Sequence, residues 1–207
     1  NAQTYGGDPW TIVLWGHSAG GQLAALLAWS PSSLGWPLAG LVLLSAPLDY
    51  RQSTLAKLHP LARAVARTLL LQEPLGLDPS VWETASPLWF LESDSPLPLA
   101  AAQAAPALQE IPPLPLMLVE AGLEFVVPWV NRQAAHIFSP EAAVAAGRRR
   151  GFPTFHDCVS RADHFSALAR CRRMLSGSHP FWQLAAERGA SYKAAALSGS
   201  AAVDGGQ

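Results

Sequence analysis

The sequence predicts an α/β fold in one domain, a doubly wound, mostly parallel sheet with a helical, proline-rich excursion. Three observations carry this expectation. Short apolar runs with strand character alternate with helical segments, the pattern of βαβ units. The strand candidates are almost continuously apolar, as strands covered on both faces are. The chain has 207 residues, half of them hydrophobic and 14% charged, which suits a single core and excludes disorder of the whole chain.

The elements follow in order. Thr11–Trp15 is bounded by Asp8-Pro9 and Gly16 and reads as a strand buried on both faces. Ala19–Trp29 reads as a helix that stops before Pro31. Leu38–Ser45 is a second buried strand, ended by Pro47, and Leu114–Glu120 a third, after Pro112-Pro113. Trp129–Phe138 reads as a helix with Pro128 in its first turn. Glu141–Arg150 continues it after a break at Ser139-Pro140. Thr154–Ser160 is the fourth strand candidate, and Phe165–Leu175 and Phe181–Arg188 are helices. The alternation is interrupted over residues 49–111, which hold one amphipathic segment, Leu61–Leu71, then many prolines with Trp82 and Trp89. That stretch reads as a lid-like excursion rather than a second domain. Residues 1–190 form the domain, and the small, Gly/Ser/Ala-rich residues 191–207 read as a flexible tail.

Composition excludes several classes of function. The formal net charge is -1, so there is no global basic field for nucleic acid or an anionic membrane. No apolar run approaches the ~18 residues of a membrane span. Cys158 and Cys171 cannot build a disulfide framework, which makes a reduced compartment the mild default and leaves localisation open. No zinc-ligand spacing is present, and no cofactor or metal is expected.

Gly16-His17-Ser18-Ala19-Gly20-Gly21 carries the chemistry. It matches G-x-S-x-G between a strand and a helix, the context of a nucleophile elbow. A serine on such a turn takes a strained backbone, with its hydroxyl lifted above the sheet. Gly16 and Gly20 are expected to leave room where side chains would collide. The Ala19 N–H, at the head of the new helix, is a candidate oxyanion donor. The simpler alternative is a Gly/Ser-rich turn that cradles a phosphate, but no Gly-Lys-Ser/Thr follows. His17 reads as packing or pocket wall.

Tyr5-Gly6-Gly7-Asp8-Pro9, Ile12-Val13-Leu14 and Gly16 through Leu23 together resemble the esterase/lipase branch of the α/β-hydrolase superfamily. Within it the pattern is similar to carboxylesterase-like enzymes, including isoprenylcysteine methylesterases and kynurenine formamidases. Gly40–Tyr50, Ala85-Ser86-Pro87-Leu88, Leu116–Pro128 and Arg161–Phe165 resemble later segments of the same branch. The resemblance implies a Ser-acid-His chain order, with the histidine on the loop after the last strand. Of six histidines, His164 fits best, in Arg161-Ala162-Asp163-His164-Phe165. His59, His136, His156 and His179 read as structural, and Asp163 as a loop cap. Relatives show Gly, then Asp, then Val-Pro after the third strand. Counting back from Val126-Val127-Pro128 points to Glu124 as the acid, one residue short of that spacing and a glutamate. Glu120 and then Asp49 are the alternatives, although Asp49 also suits a turn cap.

The implied activity is hydrolysis of a carboxylic ester, or a related amide, through a Ser18–His164–Glu124 triad and an acyl-enzyme. The expected substrate is a small molecule, and the Leu-, Pro- and Trp-rich excursion suits one with an apolar group. The resemblance also implies a His-Gly-Gly-type loop upstream, which residues 1–15 do not contain. The sequence therefore reads as N-terminally incomplete, and the chain alone is expected to turn over p-nitrophenyl acetate little or not at all. The rival reading is a hydrolase-like domain impaired in catalysis and used for binding.

Overall fold

The computed structural model describes residues 2–29, 38–72, 76, 78–93, 111–123, 128–171 and 177–204. Four strands form one sheet: β1 (Ile12–His17), β2 (Leu38–Leu44), β3 (Leu116–Leu123) and β4 (Thr154–Asp163). They lie in sequence order, and every neighbouring pair is parallel. Helix α1 (Ala19–Trp29) follows β1. Among the described residues of the excursion are helices α2 (Gln52–Leu55), α3 (Pro60–Val65), α4 (Pro79–Thr84) and α5 (Pro87–Glu92). Helices α6 (Pro128–Phe138) and α7 (Pro140–Arg149) precede β4. Helices α8 (Ser166–Arg170) and α9 (Pro180–Asp204) follow it.

The two-residue period of a strand explains why both faces are covered. In β2, Leu41 and Leu43 point to one face and Val42 and Leu44 to the other. The first face packs on Ala24, Ala25 and Ala28 of α1, Leu88 and Leu91 of α5, and Ala143 and Ala146 of α7. The second packs on Ala167 of α8 and on Phe181 and Ala185 of α9. Alanines dominate the helical faces, so the helices approach the sheet closely. A third cluster, Tyr50, Leu55, Leu58, Ala66, Leu71, Trp82 and Ile137, sits within the excursion and ties it to α6.

Three expectations are revised. The first strand is not buried on both faces: β1 is half-buried except at Gly16, because it forms an edge of the described sheet. Residues 191–204, expected as tail, continue α9 as helix. Alanine is the best helix former, and Tyr192 turns inward to bond Arg188. The amphipathic segment Leu61–Leu71 is divided, with α3 passing into a π-helical turn over Ala66–Gln72. The break before α7 is as expected, since Ser139 takes a left-handed φ of 45°. Among the described residues, no helix is long and apolar enough to cross a membrane.

Candidate active site

Ser18 stands between β1 and α1 with φ 54°, a left-handed conformation that a non-glycine residue holds only under constraint. The constraint is visible. The Ser18 N–H donates to the Leu44 carbonyl at 2.9 Å, which fixes the turn to the end of β2. The Ser18 carbonyl accepts from the N–H groups of Gly21 and Gln22, which starts α1. A side chain at Gly16 would place its Cβ 2.2 Å from the Gly20 carbonyl oxygen, so only glycine fits. At Gly21 a Cβ would lie 2.6 Å from the Ala46 Cβ. Gly20, expected to be sterically required, is not: a Cβ there meets nothing within 4 Å. Gly16 packs against the backbone of Gly20 and Gly21 in its own turn, and Gly21 against Ala46, past the end of β2, and against the Gly16 carbonyl.

The structure brings His164 to this turn. Its Nε2 lies 2.8 Å from Ser18 Oγ, across 146 positions of sequence. The His164 side of the pair is built by the end of β4. Asp163 Oδ1 accepts the N–H groups of Phe165 at 3.0 Å and Ser166 at 2.8 Å, and Ser166 Oγ accepts the Asp163 N–H. Asp163 is thus a cap on α8, as its place in the loop suggests. The His164 ring is buried and flanked by Phe138 and Phe165, with centroids 5.8 and 5.3 Å away. Phe165 itself is 79% exposed. One contact escaped the sequence reading: His17 Nε2 lies 2.8 Å from the His164 carbonyl oxygen. The only hint in the sequence was its place beside Ser18.

Glu124 lies outside the described residues. The two alternative carboxylates have other partners. Glu120 Oε1 is 3.6 Å from His156 Nε2. Asp49 is gripped by Arg51 Nε at 2.8 Å and Nη2 at 2.7 Å, and Thr54 Oγ1 donates to it at 2.6 Å. Burial pushes the Asp49 carboxyl up, but the bonds from Arg51 and Thr54 outweigh burial and hold it below the usual carboxylate range. His59 and His179 each accept a backbone N–H through Nδ1 near a helix start, and His136 is exposed.

Ala19 opens α1, where first-turn N–H groups have no partner within the helix. A small cavity lies among Leu43, Ser45, Ala46, Leu48, Leu118, Val119, Glu120, Phe138 and Pro140. Its space of about 10 Å³ has room for one water. Among the described residues, no group of three or more His, Cys, Asp or Glu side chains could hold a metal.

A family model described as alpha/beta hydrolase fold matches residues 1–156. The match takes in Ser18 and ends before His164. A truncated form of a carbohydrate esterase from gut microbiota is similar in structure, with a TM-score of 0.54 and 14% identity. The similarity covers 90% of this chain and 64% of that one. An arylesterase is similar at a TM-score of 0.49 and 20% identity, over 90% of this chain and 55% of that one. A carboxyl esterase from the mycorrhizal fungus Tuber melanosporum is similar at 0.46 and 20%, over 92% and 56%. The chain therefore spans between half and two thirds of the length of these proteins. No curated protein sequence matches it. The family match, the parallel sheet and its helices on both faces agree, and the chain belongs to the alpha/beta hydrolase fold family.

Proposed function

We propose that this chain carries the nucleophile and base of a serine esterase acting on carboxylic esters or related amides. One observation carries the reading: Ser18 Oγ and His164 Nε2 are 2.8 Å apart, within reach of direct proton transfer. His164, with its proton on Nδ1, accepts the Ser18 proton as Oγ bonds to the carbonyl carbon. The electron pair of the carbonyl bond moves to oxygen, where the Ala19 N–H donates to it. Collapse of this adduct breaks the bond to the leaving group, and His164 gives its proton to the leaving atom. Water then attacks the acyl-enzyme with His164 again as base, releasing the acid and restoring Ser18.

Glu124 is assigned to orient the imidazole through Nδ1. The engagement of Glu120 by His156, and of Asp49 by Arg51 and Thr54, supports that choice. An apolar substrate group is supported by the two phenyl rings beside His164, one of them open to solvent. A buried apolar group gains about 25 cal/mol per Å² removed from water.

Covalent capture tests the reading directly, since it needs the nucleophile and base but not full turnover. The protein is treated with a fluorophosphonate, digested and mapped by mass spectrometry. A phosphonyl adduct on Ser18 is expected, absent from Ser18→Ala and formed about 10²–10⁴-fold more slowly in His164→Ala. A folded protein with no adduct on Ser18 would instead be a hydrolase-like domain without hydrolase chemistry.

A further inference from the structure

We propose that His17 is a positioning residue that holds His164 against Ser18 through a hydrogen bond to the His164 backbone; the role rests on the serine-esterase reading above. The problem it solves comes from topology. Ser18 follows β1 and His164 follows β4, and these strands form opposite edges of the described sheet. Three strand spacings of about 4.8 Å separate them, so no backbone ladder joins the two reacting residues. The loop after β4 must cross the end of the sheet and stop within ångströms of the right place.

His17 supplies the stop. Its backbone is fixed as the last residue of β1, paired with Leu44 in β2. From that point its ring reaches the His164 carbonyl oxygen, 2.8 Å from Nε2. A carbonyl oxygen only accepts, so His17 Nε2 carries a proton and donates it. The two rings stand 4.9 Å apart at 39°, which limits how His164 can turn about its side-chain bonds. On the far side, the Asp163 carboxylate holds the Phe165 and Ser166 N–H groups. His164 is therefore held from two directions, by α8 and by the residue next to its target. A hydrophobic side chain at position 17 could fill the space but could not donate the bond. A misplacement of about 1 Å in such a pair costs on the order of 10²-fold in rate.

The test compares His17→Leu, which fills the site without a donor, with His17→Gln, whose amide can donate to the same carbonyl. Ser18 labelling by the fluorophosphonate is timed in each, and folding is checked by circular dichroism. The expected result is labelling slowed about 10- to 100-fold in His17→Leu and restored to within about threefold in His17→Gln. Equal labelling by His17→Leu and the native protein overturns the proposal, as does a folded His17→Gln that labels as slowly as His17→Leu. A measurement on the native protein covers the case in which the variants do not fold. Nitrogen NMR of its imidazoles should show the His17 proton on Nε2 and slow to exchange, and a proton on Nδ1 alone overturns the proposal. If the native protein gives no Ser18 adduct, the esterase reading itself fails, a result distinct from all of these.

Discussion

Glu120 and His156 meet diagonally across the β3–β4 ladder, Oε1 to Nε2 at 3.6 Å, with the histidine side chain 27% and the glutamate 31% exposed. The pair gives this half-open edge a pH-dependent contact.

The Glu120 carboxylate, accepting from the protonated His156 ring, raises the His156 pKa above its ordinary 6.5, with smaller help from Glu141 and Asp157. A raised value means that the folded state holds the proton more tightly than the unfolded chain. The stabilisation is complete below the unfolded value and lost as pH rises through the folded one. His156→Ala should therefore lower Tm at about pH 5.5 and leave it unchanged at about pH 9. The pair is partly exposed, so the effect stays under about 1 kcal/mol and fades in high salt. Thermal melts across that range check it.

The glycines of the turn should separate into two classes. Gly16→Ala would force a Cβ against the Gly20 carbonyl, a backbone atom that cannot yield. A loss above about 4 kcal/mol is expected. Gly21→Ala meets the Ala46 side chain and should cost about 1–3 kcal/mol. Gly20→Ala meets nothing and sits in α1, so it should be neutral or stabilise by up to about 1 kcal/mol. Urea denaturation of the three variants would show a different order if the turn is built otherwise.

Asp49 should matter for stability rather than for proton transfer. Asp49→Asn keeps the shape but weakens the grip of Arg51 and Thr54, at a cost of about 1–3 kcal/mol at neutral pH. Because the Asp49 pKa is depressed, its contribution exists above the ordinary carboxylate value of 3.8 and disappears as pH falls through the lower, folded one. Native and variant stabilities should converge in acid. If Ser18 labelling collapses in Asp49→Asn while the fold holds, Asp49 is the orienting acid after all.

Trp82 anchors the excursion, fully buried between α2 and the π-helical turn, with its Nε1–H donating to Gly76. Trp82→Ala should cost about 3–5 kcal/mol. Hydrogen exchange should rise first over residues 52–72, where the third cluster lies, and later in β2 and β3, whose cores are separate. Simultaneous loss of protection everywhere would mean that the excursion and sheet unfold as one unit.

How much of this was legible in the sequence depended on whether a signal was local. The strand cores, α1 and the break at Ser139 follow from apolar runs, prolines and glycines acting on their own neighbours. Ser18 was legible because strand, serine and glycines are contiguous. His164 needed a chain-order argument, yet its partner is 146 residues away and only folding brings them together. The half-burial of β1 was not legible, since an apolar run does not say which strand lies at an edge. The reach of α9 to Asp204 was hidden by small residues that suit helix and loop alike. The freedom at Gly20 and the bond from His17 depend on directions in space, which spacing along the chain does not encode.

Of the non-glycine residues in the left-handed region among those described, Ser18 and Ser45 lie just past strands, Arg161 near the end of β4, and Ser139 at the junction beside Phe138. Each holds about 1–3 kcal/mol of strain, of which a glycine would release the part that its own chain entropy does not offset. Thermal adaptation of this fold would therefore find its easiest gains at Ser45 and Arg161. Those gains would come at the rim that keeps a hydroxyl and an imidazole in register, so heat tolerance and reactivity would draw on the same few bonds.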